Sequence, residues 1–350
     1  MPGAVTALDV ARRADVSRSA VSRCFTAGAS IAPDTRARIL AAADALGYRP
    51  NALARSLITR RSGLIAVVLG QLDNPFYADL LARLAAALQT EGYRLLLFFA
   101  SPQDAPDPLV GQILPYQVDG IVLAATSLTS GLADACAGAG IPVVLVNRTT
   151  DRPAVASVTS ANREGGRLAA RFLLAAGHRR MAYVAGAAGA STNRDRALGF
   201  TEVLQETGLG PPLQAEGHYS HAGAAAAART LLASPEPPEA VFCANDHMAV
   251  AVLDTARREF GLRVPVDLSV VGFDDAPQAR WGSYALTTVE QPVGSMVAAA
   301  VSLLVGQIRG QPVAMRHEAV AGALVVRDTA RRPAAGIIHD GDREVWRPAP

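Results

Sequence analysis

Cysteine is scarce in this chain: only Cys24, Cys136 and Cys243, each in an apolar stretch and none near another. An odd number without a close pair excludes a disulfide framework and supplies no metal or redox couple. Buried thiols in a reducing compartment are the expectation. No stretch reaches the roughly 18 uninterrupted apolar residues of a membrane span, and the start lacks a cationic segment leading into an apolar run and cleavage site. The expected location is therefore the cytoplasm. Even the alanine-rich run at 222–233 carries Arg229 and reads as a soluble helix. There is no GxGxxG after the first apolar run, where VVLGQLDNPF stands instead, which argues against a dinucleotide enzyme. The histidines (His178, His218, His221, His247, His317, His339) show no metal or acid–base spacing, and only His218 and His221 lie near a candidate cleft. No cofactor, metal or catalytic residue is expected. Aromatic residues make up 5% of the chain, so its core must be largely aliphatic. The Arg-, Pro- and Gly-rich end after about Thr329 has no heptad pattern, so residues 331–350 read as a flexible tail without a coiled coil.

The chain does have charge asymmetry. Its net charge is +2, yet residues 1–62 hold ten arginines against four aspartates, which gives that segment +6 and leaves −4 for the remainder. A basic module on a mildly acidic body points to a polyanionic partner. Residues 6–47 carry helical patterns. Thr6 and Asp9 are spaced as a near capping box, with Leu8, Val10, Ala11 and Ala14 as the apolar side. Asp15 and Val16 make a tight turn, and Ser17 caps a second helix with Ala20, Val21 and Cys24 inward. Pro33 opens a third helix that Gly47 stops, with Ile39, Leu40, Ala43 and Leu46 inward. Residues 50–62 form a separate piece, in which 51–57 amount to two helical turns, marginal alone in water.

From Gly63 the pattern changes to short apolar runs alternating with amphipathic helices. Strands are expected at 64–69, 94–99, 120–124 and 142–146, and, after Asn162, at 181–184, 214–217, 240–244 and 268–272. Such alternation argues parallel sheets covered on both faces, here two units of similar size with a cleft between them. Ligands of such sheets bind beyond the carboxyl ends of the strands.

Eight stretches, DVARRADVSRSAVSR, RPNALARSL, NPFYADLL, GHRRMAYVAG, RDRALGF, AVFCANDHMAV, RVPVDLSVVGFDD and LTTVEQPV, fall in one order between about Thr6 and Arg327. In that order they resemble the lactose-repressor/galactose-repressor (LacI/GalR) family of bacterial transcription regulators. The resemblance implies an all-α helix-turn-helix DNA-binding head (1–49) and a hinge helix (50–62). These join a two-lobed α/β domain with parallel sheets, like a periplasmic binding protein (63–330). Lobe one is expected at about 63–161 plus 292–320, and lobe two at about 162–291 plus 321–330. A homodimeric repressor on palindromic operator DNA is what the resemblance implies.

By match, the recognition helix is Ser17–Phe25. Arg18 and Ser19 take the positions that choose bases, Arg23 reaches them from nearby, and Ser17 and Ser22 complete the DNA-facing set. Arginine at the exposed start of such a helix grips guanine bidentately. Two departures stand out: Asp15 replaces the family's turn glycine, and Ala20 replaces a threonine whose hydroxyl helps anchor the helix to phosphates. In the hinge, Asn51 and Arg55 match DNA contacts, and Leu57 matches a wedge that unstacks a base step in the minor groove. The effector contacts match Asn74, Phe76, Tyr77, Arg148, Thr192, Arg196, Tyr219, Asn245 and Asp274. Carboxylate, amide, guanidinium and aromatic faces together suit a sugar-like compound. A sugar acid remains open, since Arg148 and Arg196 can meet a carboxylate. The pair Asn147–Arg148 and the residue Ala190 resemble sugar responders more than the purine-responsive member. Asp246 is expected to organise its loop rather than touch ligand, and Trp281 to form a cleft rim or pack inside. The alternative reading is a periplasmic-type solute-binding protein without a regulatory role, which would have no use for residues 1–62.

Overall fold

The computed structural model describes residues 5–25, 29–49, 61–70, 72–100, 106–124, 135, 138–150, 155–312 and 317–348. The proposed hinge contacts Asn51, Arg55 and Leu57, together with Cys136, lie outside the described residues. Two compact units divide at Ser62/Gly63.

The first unit holds three helices, α1 (Ala7–Ala14), α2 (Arg18–Cys24) and α3 (Pro33–Leu46). The Thr6–Asp9 capping box is formed: the Asp9 carboxylate accepts from the Thr6 backbone N–H at 2.9 Å, and Thr6 Oγ1 accepts from the Asp9 N–H. Asp15 ends α1 in the left-handed region at φ 51°, ψ 57°. Aspartate tolerates that conformation, so replacing the turn glycine costs the turn little. Ser17 Oγ caps α2 by accepting from the Ala20 N–H at 3.2 Å. The core between the helices is small and aliphatic: Val10, Ala11, Ala14, Ala20, Val21, Cys24, Ile39, Ala42 and Ala43. Leu8 and Leu40, expected inside, are exposed instead. On α3 the inward stripe runs through Ile39, Ala42 and Ala43, and Leu40, about 200° round the helix from Ala42, falls outside it.

The second unit begins with β1 (Leu64–Leu69), α4 (Pro75–Thr90), β2 (Arg94–Phe99), α5 (Pro106–Ile113), β3 (Gly120–Ala124), β4 (Val143–Val146) and β5 (Ala156–Ser160). It continues with α6 (Asn162–Ala175), β6 (Met181–Ala185), α7 (Ser191–Glu206), β7 (Leu213–Glu216), α8 (His221–Leu232) and β8 (Ala240–Cys243). Then come α9 (Asp246–Arg258), β9 (Ser269–Asp274), β10 (Thr287–Glu290), α10 (Val293–Ile308), β11 (His317–Val320), β12 (Leu324–Val325), β13 (Ile337–Asp340) and β14 (Arg343–Trp346).

One sheet has the order β11-β5-β4-β3-β1-β2, every pair parallel. The other has the order β13-β14-β12-β10-β9-β8-β6-β7, parallel from β7 to β10 and antiparallel beyond. The chain passes between the sheets three times, at residues 161, 291–292 and 321–323. β1, β3 and β4 are covered on both faces by helices, and this is why they read as unbroken apolar runs. Each fully buried Val, Leu or Ile there contributes on the order of 1.5–3 kcal/mol of hydrophobic stabilisation.

The end of the chain departs from the sequence reading. Residues 331–350 were expected to be a flexible tail, yet β13 and β14 form a hairpin that extends the second sheet. Val345 and Trp346 are buried, and the Trp346 indole N–H donates to the Ala335 carbonyl at 3.0 Å. The physical reason is a docking surface supplied by β12, which a composition count cannot see.

Candidate ligand cleft and nucleic-acid interface

On α2, Ala20, Val21 and Cys24 face the core, while Ser17, Arg18, Ser19, Ser22 and Arg23 are all exposed. Positions 18, 19, 22 and 23 follow helical spacing, so two guanidinium groups and two hydroxyls share one solvent face. Ser17 and Ser19 hydroxyls lie 2.9 Å apart at its start. Such a face can donate to phosphate oxygens and to base edges.

In the second unit, a narrow cleft is lined by Asn74, Phe76, Tyr77, Asn147, Thr192, Arg196, Tyr219, Asn245 and Asp274. Each follows or ends a strand at its carboxyl end: β1, β4, β6, β7, β8 or β9. Asn74 and Asn245 cap α4 and α9, accepting from the Phe76 N–H at 3.1 Å and the Met248 N–H at 3.0 Å. Each amide is thereby oriented by its own helix, with its NH₂ end left for other partners.

Arg196 is 2% exposed. Its Nε donates to Asn162 Oδ1 at 2.8 Å, its Nη1 to the Ala244 carbonyl, and Nη1 stands 3.6 Å from Asp274 Oδ1. The guanidinium lies over the Phe273 ring at 3.6 Å. Its Nη2 has no partner among the described residues. A buried donor in that state carries a desolvation cost that a ligand oxygen would remove. Asp274 accepts from Gln291 Nε2 at 2.6 Å. Burial pushes its carboxyl up to about 6, against the pull of Arg196 and of the Gln291 and Asn74 amides, which favour the charged form. Asn147 Nδ2 donates to the Tyr77 hydroxyl at 3.2 Å, and Asn147 Oδ1 is a second buried atom without a partner among the described residues. Burial holds the Tyr77 phenol up at about 12, so it stays protonated. The Tyr219 and Thr192 hydroxyls meet at 3.0 Å. The cleft thus offers a free donor, a free acceptor, a carboxylate, and the aromatic walls Phe76 and Tyr219.

Eight of the nine effector contacts expected from the sequence line this cleft. Arg148 does not. Its Nη1 donates to Thr192 Oγ1 at 2.9 Å and its guanidinium lies 5.9 Å from the centre of the Tyr219 ring. It ties the two lobes together behind the wall, as does the Thr149 N–H, which donates to Ser191 Oγ at 3.1 Å. Asn147, Asn162 and Gln291 are hydrogen-bonded to cleft residues, and the sequence reading did not select them as contacts. Only Asn147 left a local signal, by preceding Arg148.

Asp246 accepts from the Ala276 N–H at 2.8 Å and from Thr288 Oγ1 at 2.6 Å, so it braces the loop after β9. Burial and the nearby Asp274 hold its carboxyl far above the usual range. Trp281 is 59% exposed, neither packed nor among the lining residues. The His221 and His247 rings lie 6.2 Å apart, and His247 Nε2 stands 4.0 Å from Asp73 Oδ2. His218 is exposed and outside the cleft lining. Among the described residues, no group of three His, Cys, Asp or Glu is arranged to hold a metal ion, and no helix is long and apolar enough to cross a membrane.

Comparison with known proteins supplies the decisive observation. The family "Bacterial regulatory proteins, lacI family" matches residues 6–51, and "Periplasmic binding protein-like domain" matches residues 170–330. The chain is 32% identical to catabolite control protein A of Priestia megaterium over 306 residues, covering 86% of this chain and 91% of the relative. It belongs to the LacI family of bacterial transcription regulators. As a LacI-family chain it is a DNA-binding regulator, not an enzyme. Its fold matches two solved family structures. One is the complex of the transcriptional regulator CelR with cellobiose, at 31% identity and TM-score 0.71, covering 93% of this chain and 100% of that one. The other is the lac repressor dimer bound to operator and an anti-inducer, at 27% identity and TM-score 0.85, covering 93% of this chain and 99% of that one. The LacI-family match spans α1 to α3 and includes the exposed face of α2 that carries Arg18, Ser19, Ser22 and Arg23.

Proposed function

We propose that this protein is a repressor that binds a palindromic operator as a homodimer and is controlled by a neutral, polyhydroxylated effector of the sugar class. The observation that carries the effector reading is the pair of buried, unpartnered atoms in the cleft, Arg196 Nη2 and Asn147 Oδ1, beside the Asp274 carboxylate. Hydroxyl groups both donate and accept, and therefore satisfy all three. A sugar acid fits less well. Among the described lining residues Arg196 is the one cation, and it already faces Asp274, while Arg148 Nη1 is engaged with Thr192. The cellobiose in the CelR complex agrees with a sugar-class ligand.

On DNA, Arg18, Ser19 and Arg23 read bases, and Ser17 and Ser22 hold phosphates. Asn51, Arg55 and the wedge residue Leu57 act in the minor groove, as the resemblance implies. The dimer contact is placed on β2, the edge strand of its sheet, where Leu97 and Phe99 are 40% and 51% exposed on one face. Such a region on a sheet edge is suited to a second copy of the chain.

The test is a thermal-shift and calorimetric panel of neutral mono- and disaccharides, polyols and aldonic acids on the full-length protein. A neutral sugar should stabilise the wild type and lose that effect in Arg196→Met, because binding to the folded state alone raises stability. Stabilisation by aldonates only, or retention of binding in Arg196→Met, overturns the reading.

A further inference from the structure

The match to the periplasmic binding protein-like domain ends at residue 330, but the chain goes on to build the β13–β14 hairpin. The hairpin touches two places that matter to the cleft. At one end the Trp346 ring packs edge-on against Phe172 of α6, with centroids 5.6 Å apart. The first residue of α6 is Asn162, whose Oδ1 accepts from Arg196 Nε. At the other end Arg343 Nη1 meets Glu290 Oε1 at 3.0 Å. Glu290 is the last residue of β10, where the chain leaves the second sheet for the first. The next residue, Gln291, donates its backbone N–H to the Asp274 carbonyl at 3.0 Å and its Nε2 to Asp274 Oδ1 at 2.6 Å. Successive side chains on a strand point to opposite faces, so anchoring Glu290 from the hairpin side sets the side from which Gln291 reaches Asp274. The hairpin is built into the sheet: β14 pairs with β12, and Val345 and Trp346 are buried. Its own start is close-packed as well. Gly336 sits at φ 93°, and a Cβ there would fall 2.6 Å from Trp346 Nε1 and 2.5 Å from the Arg347 carbonyl.

We propose that the C-terminal hairpin is a positioning element for the cleft. Arg343, through Glu290, holds the crossover so that Gln291 reaches Asp274, and Trp346, through Phe172, steadies the helix from which Asn162 orients Arg196. The relevance of this to regulation rests on the reading of the cleft as the effector site. Its test is made without ligand, so the two ideas fail separately.

The experiment uses the full-length, ligand-free protein with three substitutions: Arg343→Ala, Glu290→Gln and Arg343→Lys. Hydrogen exchange of the Gln291 side-chain amide and titration of the Asp274 carboxyl are followed by NMR, with Asp274→Asn for assignment. Breaking the pair from either end should speed Gln291 amide exchange at least about tenfold and raise the Asp274 midpoint by roughly half a unit or more, since the carboxylate loses a donor. Arg343→Lys should restore both values most of the way. A merely structural role would lower the melting temperature while leaving both readouts at wild type. A purely electrostatic one would move the titration in opposite directions in Arg343→Ala and Glu290→Gln without changing exchange. Either result overturns the proposal, and Glu290→Gln, which keeps the side-chain shape, decides the matter if Arg343→Ala does not fold.

Discussion

Asp274 holds a carboxylate in a place where the folded protein would rather have a neutral group. Its ordinary value is 3.8, and burial raises it to about 6. At about 1.36 kcal/mol per unit, the ionised side chain destabilises the ligand-free fold by about 3 kcal/mol at neutral pH. The sign is opposite to that of a salt-bridged aspartate. The folded state binds the proton more tightly, so stability falls as pH rises from 3.8 towards 6 and is level above that. Asp274→Asn mimics the protonated form and should recover up to about 3 kcal/mol at pH 7.5, raising the melting temperature by roughly 5–10 °C. At pH 5 the wild type is itself mostly protonated there, and the gain should shrink to about half. The same substitution removes a charged acceptor from the cleft. It should weaken the sugar that stabilises the wild type by about 2–3 kcal/mol, tens-fold to over a hundredfold. Differential scanning fluorimetry at the two pH values and calorimetry with that sugar read both effects. A variant less stable than wild type at both pH values, or one with unchanged sugar affinity, refutes the reasoning.

Further expectations rest on other parts of the molecule. His178 is buried, its Nε2 lies 2.9 Å from Ser269 Oγ, and burial with Arg331 nearby lowers it to about 4 from 6.5. The folded state refuses a proton that the unfolded chain accepts, so this stability is complete above pH 6.5 and falls by about 3 kcal/mol as pH drops to 4. In His178→Gln the acid-side slope of stability measured by urea denaturation should flatten; an unchanged slope counts against the assignment. Gly199 packs α7 on α6 so tightly that an added Cβ would fall 1.9 Å from the Arg163 carbonyl. Gly199→Ala must displace backbone and should cost about 3 kcal/mol or more, read as a lower denaturation midpoint. Arg18→Ala should change base preference as well as affinity in a binding-site selection, because it removes a base-edge contact. Equal weakening on every operator variant would rule out a base-reading role. Light scattering should give about twice the chain mass, and Leu97→Glu with Phe99→Glu should shift the protein to monomer.

The sequence by itself determined the head, the strand–helix alternation and most of the cleft's residue identities. Capping at Thr6 and Ser17 is local chemistry, complete within three residues. β1, β3, β4, β8 and β9 are legible because strands buried on both faces must be apolar throughout. β5 and β10 were missed because they are equally buried yet rich in hydroxyls: Ser157 and Thr159 meet His317, Thr287 accepts from the Arg327 N–H, and Thr288 bonds Asp246. Partners 40 or more positions away make those polar strands tolerable inside, and hydropathy has no term for a distant partner. The terminal hairpin was missed for the same reason, since what makes it a strand pair is the edge of β12 rather than its own composition. Family motifs could name Arg196, Asp274 and Arg148, but only the tertiary structure decided their states. Arg196 is left with one nitrogen unpartnered among the described residues, Asp274 is pushed towards neutrality, and Arg148 donates through Nη1 to Thr192. A side chain's charge, free valences and reach depend on what the fold places around it, and a linear motif records only which side chain it is.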